Sequence, residues 1–249
     1  MESPKQWHII ERETSPSTNT ELKALAAAGA PAGTVLIARR QTAGRGRLGR
    51  SFYSPQGTGL YLSVLLRPNA SPEEILQLTP LAAVAAARAV QKACGAEVGI
   101  KWVNDLYFKG KKVCGILTES SFDPSVQDAP AVICGLGFNL FPPKDGFPPE
   151  LASVAGALTE EEDDTLFPRL TAAFLEEFSK ALLAPFSVTL EEYRRRSVLT
   201  GKTVCSPTES FPGEGLVLGI DDQGGLRLRL EDGKEITLQG GEVSIRVRE

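Results

Sequence analysis

The chain has 249 residues, 42% hydrophobic and 23% charged, enough to bury a real core in one or two domains. Its net charge of -4 and pI near 5.3 argue against a broad nucleic-acid footprint, which needs a clustered excess of Lys and Arg. Four cysteines with no C-x-x-C pair argue against a disulfide framework, and a single histidine, His8, excludes a His-ligated metal cluster and leaves a Ser-His-Asp hydrolase only if His8 folds back into the site.

Thr14 to Glu21 gathers hydroxyl and amide side chains ahead of Leu22-Lys23-Ala24-Leu25-Ala26, where a helix should start. Ser17 or Thr18 suffices as its cap, so the surplus in the row Ser17, Thr18, Asn19 is free to face a ligand. Gly29 and Pro31 close the helix, and Thr34-Val35-Leu36-Ile37-Ala38 reads as a strand. It leads into Gln41 to Arg50, which holds three glycines and three arginines in ten residues. Glycine lets the backbone approach a ligand closely, and guanidinium forks match carboxylate and phosphate oxygens two at a time. Composition alone is equally compatible with a solvated connection. Gly44 to Gly49 also satisfies G-x-G-x-x-G, but Pro55 and Gly57 oppose the helix that a dinucleotide-binding turn requires.

Gly59 to Pro68 is a second strand, nearly continuous in apolar residues, as expected when both faces are covered. Ser71-Pro72-Glu73-Glu74 is a capping box with proline at N1, and the helix it opens runs to about Cys94, kinked or restarted at Pro80. Gly99 to Glu119 reads as a strand, a short turn and a hairpin around Lys109-Gly110. Lys101, Asn104, Asp105 and Lys112 are its polar exceptions. Lys111 is expected to be a solvated edge residue, whereas Lys101 and Lys112 flank apolar runs and are candidates to point into a cleft. Ala131 to Leu140 adds a buried strand ending in a glycine-punctuated Asn139, compatible with a bulge or a ligand contact.

Pro142, Pro143, Pro148 and Pro149 mark a loop, Asp164-Thr165 caps a helix spaced through Leu166, Leu170, Phe174, Phe178 and Leu182, and a shorter helix covers Leu190 to Arg196. From Gly201 the pattern becomes short alternating strands with a hairpin turn at Asp232-Gly233, giving a β-barrel of roughly fifty residues that needs docking on a larger domain to be robust. No apolar stretch approaches bilayer length and Met1 to Lys5 lacks a signal-peptide core, so the expected location is cytoplasmic.

Ser17-Thr18-Asn19, Gln41-x-x-Gly44-Arg45-Gly46-Arg47-x-Gly49-Arg50, Lys101-Trp102-x-Asn104-Asp105 and Lys112-x-x-Gly115-Ile116-Leu117 stand in one order. Together with the terminal Gly240-Gly241-Glu242-Val243-Ser244 they resemble the biotin protein ligases, in a form without an N-terminal DNA-binding domain. The resemblance implies an α+β fold, with a mixed-sheet catalytic domain of the class II synthetase type over residues 1–198 and an SH3-like β-barrel over residues 199–249. It also implies a two-step ligation with ATP and biotin as substrates and Mg²⁺ accompanying the nucleotide, the acceptor being a lysine on a biotin carboxyl carrier domain. By similarity Ser17, Thr18, Asn19, Gln41, Gly44 and Arg45 line the biotin pocket. Gly46, Arg47, Lys112 and Gly115 surround the carboxylate, and Arg50, Lys101, Asn104 and Asn139 join Arg47 on the nucleotide. No protein metal ligand is implied. The chain departs from the family at Val103, usually Pro, and at Phe52, often Trp.

Residue chemistry agrees. Two anions repel, so the first step needs the fixed charge of Arg45, Arg47, Arg50, Lys101 and Lys112. In the second step a lysine of pKa about 10.4 is the free amine in only about one copy in 2,500 at pH 7, and Asp105 is the candidate to take or guide its proton. The loop is expected to be mobile when empty and ordered by ligand, because water hydrolyses a mixed anhydride. Three alternatives stand beside this reading. A lipoate–protein ligase usually carries a histidine-containing motif that a chain with only His8 lacks. A DNA-binding repressor needs more than the sixteen residues before Ser17. A non-catalytic biotin-binding module keeps the fold without the activity. A homodimer through edge strands is possible but not required.

Overall fold

The structure, a computed structural model, describes residues 3–121, 130–207, 210–241 and 243–245; Met1, Glu2 and Glu242 of the stretches discussed above lie outside them. The elements are β1 (His8–Ser15), α1 (Thr18–Ala27), β2 (Thr34–Gln41), β3 (Gly59–Leu66), α2 (Pro72–Leu76), α3 (Leu78–Cys94), β4 (Gly99–Lys101), β5 (Asp105–Phe108), β6 (Lys111–Ser121), β7 (Ala131–Asn139), α4 (Pro149–Ala152), α5 (Leu166–Leu183), α6 (Phe186–Arg195), β8 (Thr203–Cys205), β9 (Glu214–Ile220), β10 (Leu226–Leu230), β11 (Glu235–Leu238) and β12 (Ser244–Ile245). The first seven strands form one mixed sheet in the order β1-β2-β3-β7-β6-β5-β4, with β1 parallel to β2 and the other neighbours antiparallel.

Period-two alternation divides this sheet into two unlike faces. Val35 and Ile37 of β2, Leu60, Leu62 and Val64 of β3, and Cys134, Leu136 and Phe138 of β7 share one core with the alanine-rich α3 and with α5. Alanines at 82, 83, 85, 86, 87 and 89 let α3 lie close on the sheet, and Phe138, Phe174 and Phe178 fill the space beside it. The opposite face carries Tyr61 and Ser63 on β3, Gly135 and Gly137 on β7, and Gly115 on β6, and α1 covers one end of it by packing Leu22 and Ala26 on Leu36, Leu65 and Ile133. The nearly unbroken apolar run of β3 thus has one polar interruption, Ser63, on the second face.

Local chemistry explains several boundaries. Ser17 caps α1 by accepting from the Thr20 N–H at 3.4 Å. Both halves of the Ser71–Glu74 capping box are present. The break in the following helix falls at Gln77, three residues before the expected Pro80, which instead occupies the first turn of α3, where its missing N–H has no helical partner to lose. Thr165 is the N-cap of the helix after the proline loop, as expected, but its side chain makes no capping bond; its N–H donates instead to Asp163 Oδ1 at 2.8 Å. Lys109 and Gly110 both adopt positive φ, 48° and 77°, making the two-residue turn of the β5–β6 hairpin. Lys111 is not merely a solvated edge residue: its ammonium donates to the carbonyls of Ala152 and Ser153 at 2.8 and 2.7 Å, holding the C-terminal end of α4.

Strand β1 was not legible in the sequence. Most of its side chains are exposed, including Ile9, because it is an edge strand held by its parallel ladder to β2 rather than by buried apolar surface.

The C-terminal strands form a five-stranded antiparallel sheet, β11-β10-β9-β8-β12. It docks on the larger sheet through the same core, to which Val204, Val217, Leu226 and Leu228 belong. Polar clamps add to this: Trp102 Nε1 donates to the Gly224 carbonyl at 2.9 Å, and Arg194 Nε to the Ile220 carbonyl at 2.9 Å. All four cysteines are free thiols; Cys114 and Cys134 are buried, and desolvation pushes the Cys134 thiol up to about 12. Among the described residues no helix is long and apolar enough to cross a membrane.

Candidate active site

The glycine-bearing face of the sheet opens into a cleft of about 910 Å³, lined by residues from α1, the β2–β3 loop, the β4–β5 turn, β6, β7 and the C-terminal segment. Its floor is a buried polar network. Thr18 donates through its backbone N–H at 2.8 Å and its hydroxyl at 3.1 Å to Gln41 Oε1, and Gln41 Nε2 donates to Ser54 Oγ at 3.0 Å. The fully buried Ser63 hydroxyl donates to Asn19 Oδ1 at 2.6 Å and lies 2.7 Å from Thr18 Oγ1. Asn19 Nδ2 donates to the Leu117 carbonyl at 3.1 Å and to Glu119 Oε2 at 2.9 Å. Such interlocked partners hold each side chain in one rotamer.

The rim is cationic. Arg45 makes a two-pronged pair with Glu119, at 2.9 and 3.1 Å. Arg47 donates to Asn104 Oδ1 at 3.1 Å and to the Gly241 carbonyl at 3.0 Å, tying the loop to the β4–β5 turn and to the C-terminal segment. Asn104 is itself fixed, donating to the Ile116 carbonyl at 2.7 Å while its own carbonyl accepts from the Ile116 N–H. Lys112 Nζ sits 2.7 Å from Asp105 Oδ1 and 5.9 Å from the Phe52 ring centroid. Arg50 and Lys101 line the same cleft.

The arginine loop is pinched rather than open. Gly46 N–H donates to the Arg50 carbonyl at 2.7 Å, Arg45 and Ser51 form a bridge, and a 3-10 turn spans Arg47–Gly49 with Leu48 at φ 54°. Gly44 lies beneath the pinch, where a Cβ would collide with the Phe52 carbonyl and with Ser54 Oγ.

Of the residues singled out from sequence, Ser17, Thr18, Asn19, Gln41, Arg45, Gly46, Arg47, Arg50, Lys101, Asn104, Asp105, Lys112 and Gly115 all line this one cleft. Gly44 supports it from behind. Asn139 lies in an adjoining pocket with Tyr53, Phe147 and Leu151, and donates to the Gly156 carbonyl at 2.9 Å. His8 stands at the start of the exposed edge strand β1, apart from the cleft-lining residues.

Sequence reading gave no site role to Ser63, Glu119, Gly135, Gly137 or Gly241, all of which lie at the cleft. A Cβ on Gly135 would overlap Asn19 Oδ1, and one on Gly137 would come within 2.5 Å of the Phe52 ring. Their signal was present: two glycines at period two on an otherwise apolar strand place bare backbone on one face.

Asp105 is paired with Lys112 and Glu119 with Arg45, and among the described residues no three His, Cys, Asp or Glu side chains converge on a cation-sized gap.

The class the chain belongs to follows from its mixed sheet, cation-rimmed cleft and small appended antiparallel sheet taken together with its relatives. The model of the "Biotin/lipoate A/B protein ligase family" matches residues 10–139, just over half the chain, and that of the "Biotin protein ligase C terminal domain" matches residues 203–246. The chain belongs to the biotin/lipoate A/B protein ligase family. It is 35% identical over 230 residues to the biotin–[acetyl-CoA-carboxylase] ligase of Paracoccus denitrificans, covering 88% of this chain and 93% of that one. To the bifunctional ligase/repressor BirA of Bacillus subtilis it is 32% identical over 231 residues, 91% of this chain and 70% of the relative. Among solved structures, the biotin protein ligase from Aquifex aeolicus in complex with biotin and ATP superposes with a TM-score of 0.76 at 28% identity, covering 96% of this chain and 98% of that one.

Proposed function

We propose that this chain is a biotin protein ligase. A biotin carboxylate oxygen attacks the α-phosphorus of ATP, forming the acyl–phosphate anhydride and releasing pyrophosphate. The amine of an acceptor lysine then attacks the acyl carbon, releasing AMP and leaving an amide. The observation that carries this reading is the cleft itself, where a buried amide-and-hydroxyl floor meets cations drawn from three separate segments.

Ser17, Thr18, Asn19 and Gln41 take the polar ring of biotin, with Gly115 leaving backbone room for the acyl chain. Arg45, Gly46, Arg47 and Lys112 receive the carboxylate and the α-phosphate, cancelling the repulsion between two anions. Arg50, Lys101, Asn104 and Asn139 hold the nucleotide. Asp105, beside Lys112, accepts the proton the acceptor lysine must lose. Mg²⁺ enters as the counter-ion of the triphosphate, and no step is assigned to it. Residues 1–198 form the catalytic unit and 199–249 the appended one. The acceptor is a biotin carboxyl carrier domain, a partner that suits a chain of net charge -4 better than DNA does, and the setting is the cytoplasm. A homodimer is compatible with this chemistry and not needed by it.

Biotin-dependent exchange of labelled pyrophosphate into ATP tests the reading. Exchange driven by biotin and not by lipoate is expected; exchange driven by lipoate alone, or none with either acid, overturns it. The lipoate alternative is disfavoured because His8 is the sole histidine of the sequence, where that family usually carries a histidine-containing motif.

A further inference from the structure

The β4–β5 turn separates Lys101 from Asn104, the two residues set against the nucleotide, and three other parts of the chain hold it. Asn104 is bonded to Ile116 of β6 through its side chain and its own carbonyl. Trp102, 4% exposed, donates its indole N–H to the Gly224 carbonyl between β9 and β10 at 2.9 Å. Between these anchors the Val103 carbonyl accepts from the Tyr193 hydroxyl, also at 2.9 Å and from 90 residues away in sequence.

Tyr193 stands on α6, is 1% exposed and does not line the cleft. Its ring belongs to the main core, a place that phenylalanine would fill equally well. The hydroxyl is what packing does not require, and it is spent on the turn. Burial holds the phenol well above its ordinary range, while the charges of Arg47, which lowers it, and Asp105, which raises it, act on it to a lesser extent. The hydroxyl therefore stays a donor, near enough to the cleft to feel two of its residues.

The helix that presents it is itself fixed on both sides of Tyr193. Glu192 pairs with Arg88 and Arg196, and Arg194 reaches the Ile220 carbonyl and Asp222 of the C-terminal sheet. Beyond the helix, the Arg196 carbonyl and the Val198 N–H bond to the Ile100 backbone of β4 at 2.7 and 3.0 Å. The hydroxyl is thus a fixed point against which the turn is set.

We propose that Tyr193 is a positioning residue for the nucleotide: its hydroxyl holds the Val103 carbonyl and so fixes the turn from which Lys101 and Asn104 reach into the cleft. The inference rests on the ligase reading above. A buried carbonyl that loses its donor must turn toward another, and turning that peptide moves the residues on either side of it. Contacts of this kind need holding to within about 0.5 Å. The residues assigned to the polar ring of biotin stand on other elements, α1 with its cap and β2.

The test is pyrophosphate exchange with ATP and biotin varied in turn, for wild type, Tyr193→Phe and Thr171→Val. Wild-type exchange with biotin speaks for the ligase reading separately, whatever the variants do. Thr171→Val removes another buried hydroxyl, one that donates to the Phe167 carbonyl within α5 at 2.9 Å, and so measures a merely structural loss. In Tyr193→Phe the KM for ATP should rise about tenfold, as expected for one buried acceptor left without its donor, and the KM for biotin should stay within twofold of wild type. Thr171→Val should leave both constants within twofold. Should Tyr193→Phe fail to fold, Trp102→Phe, which releases the same turn from Gly224, must show the same split between the two substrates. A KM for ATP within twofold of wild type in the folded variant, or both constants rising by the same factor, overturns the positioning role.

Discussion

The two faces of the central sheet are built from the same strands and do opposite things. On the face under α3 and α5, Leu62, Val64, Leu136 and Phe138 fill all available space, and their exclusion from water stabilises the fold. On the other face, the residues one position along, Ser63, Gly135 and Gly137, give up side-chain volume, so α1 and the arginine loop can bring polar groups down onto bare backbone. Removing side chains from half a strand costs packing that the opposite face must supply. The site can therefore be disrupted with little loss of fold, and the fold weakened with little change in the site.

The largest effect should come from filling the emptied face. Gly135→Ala places a methyl on Asn19 Oδ1, and displacing that amide by even about 1 Å should lower biotin-dependent exchange on the order of a hundredfold. The change in melting temperature should be small beside that from Leu62→Ala. The latter empties the filled face and should cost about 2–5 kcal/mol in denaturant unfolding while the folded fraction keeps its KM for biotin. If Leu62→Ala instead raised KM and Gly135→Ala only lowered stability, the contrast between the faces would be wrong.

A smaller effect is expected at the rim. Arg47→Gly removes the donors that reach Asn104 and the Gly241 carbonyl, along with a charge that the proposed function sets against the phosphoryl group. Release of the enzyme-bound adenylate, followed by filtration, should quicken about tenfold or somewhat more, the worth of a hydrogen bond to a charged group. Unchanged release would remove Arg47 from that role. The loop tip Arg47–Gly49, where Leu48 is exposed, should be nicked by protease in the free protein and protected by biotin with ATP. Equal nicking rates would contradict closure.

The smallest effect lies on the helical side of the molecule. Burial raises the Glu192 carboxyl, but Arg88 and Arg196, whose Nε atoms donate to it at 2.8 and 2.7 Å, outweigh burial and leave it below its ordinary 4.5. Because the folded value lies below the unfolded one, its contribution is present above pH 4.5 and is lost as pH falls through the lowered value. Glu192→Gln should therefore be less stable than wild type at neutral pH, with the gap closing in acid and the exchange reaction unaffected at pH 7. A gap that widened in acid would reverse the assignment.

Much of this was legible in the sequence, for physical reasons that differ by region. The buried strands announced themselves as apolar runs, and the cleft's cations stood out because Lys101 and Lys112 interrupt such runs. The exposed β1 had no buried face to leave a pattern. Lys112 was told from Lys111 by its place beside an apolar run, but the partner of Lys111 was hidden, because only the fold of residues 149–156 brings the carbonyls of Ala152 and Ser153 to it. Glu119 and Ser63 were hidden because a single polar residue in a strand gains meaning only from what lies across from it.

The most direct measurement is a crystal structure with a non-hydrolysable analogue of biotinyl-5′-AMP. The polar ring should lie over Gly135 against Asn19 and Gln41, with the phosphoryl group within hydrogen-bonding reach of Arg47 and Lys112. An analogue bound on the helical side, or in the cleft with its phosphoryl group away from both cations, would contradict the account.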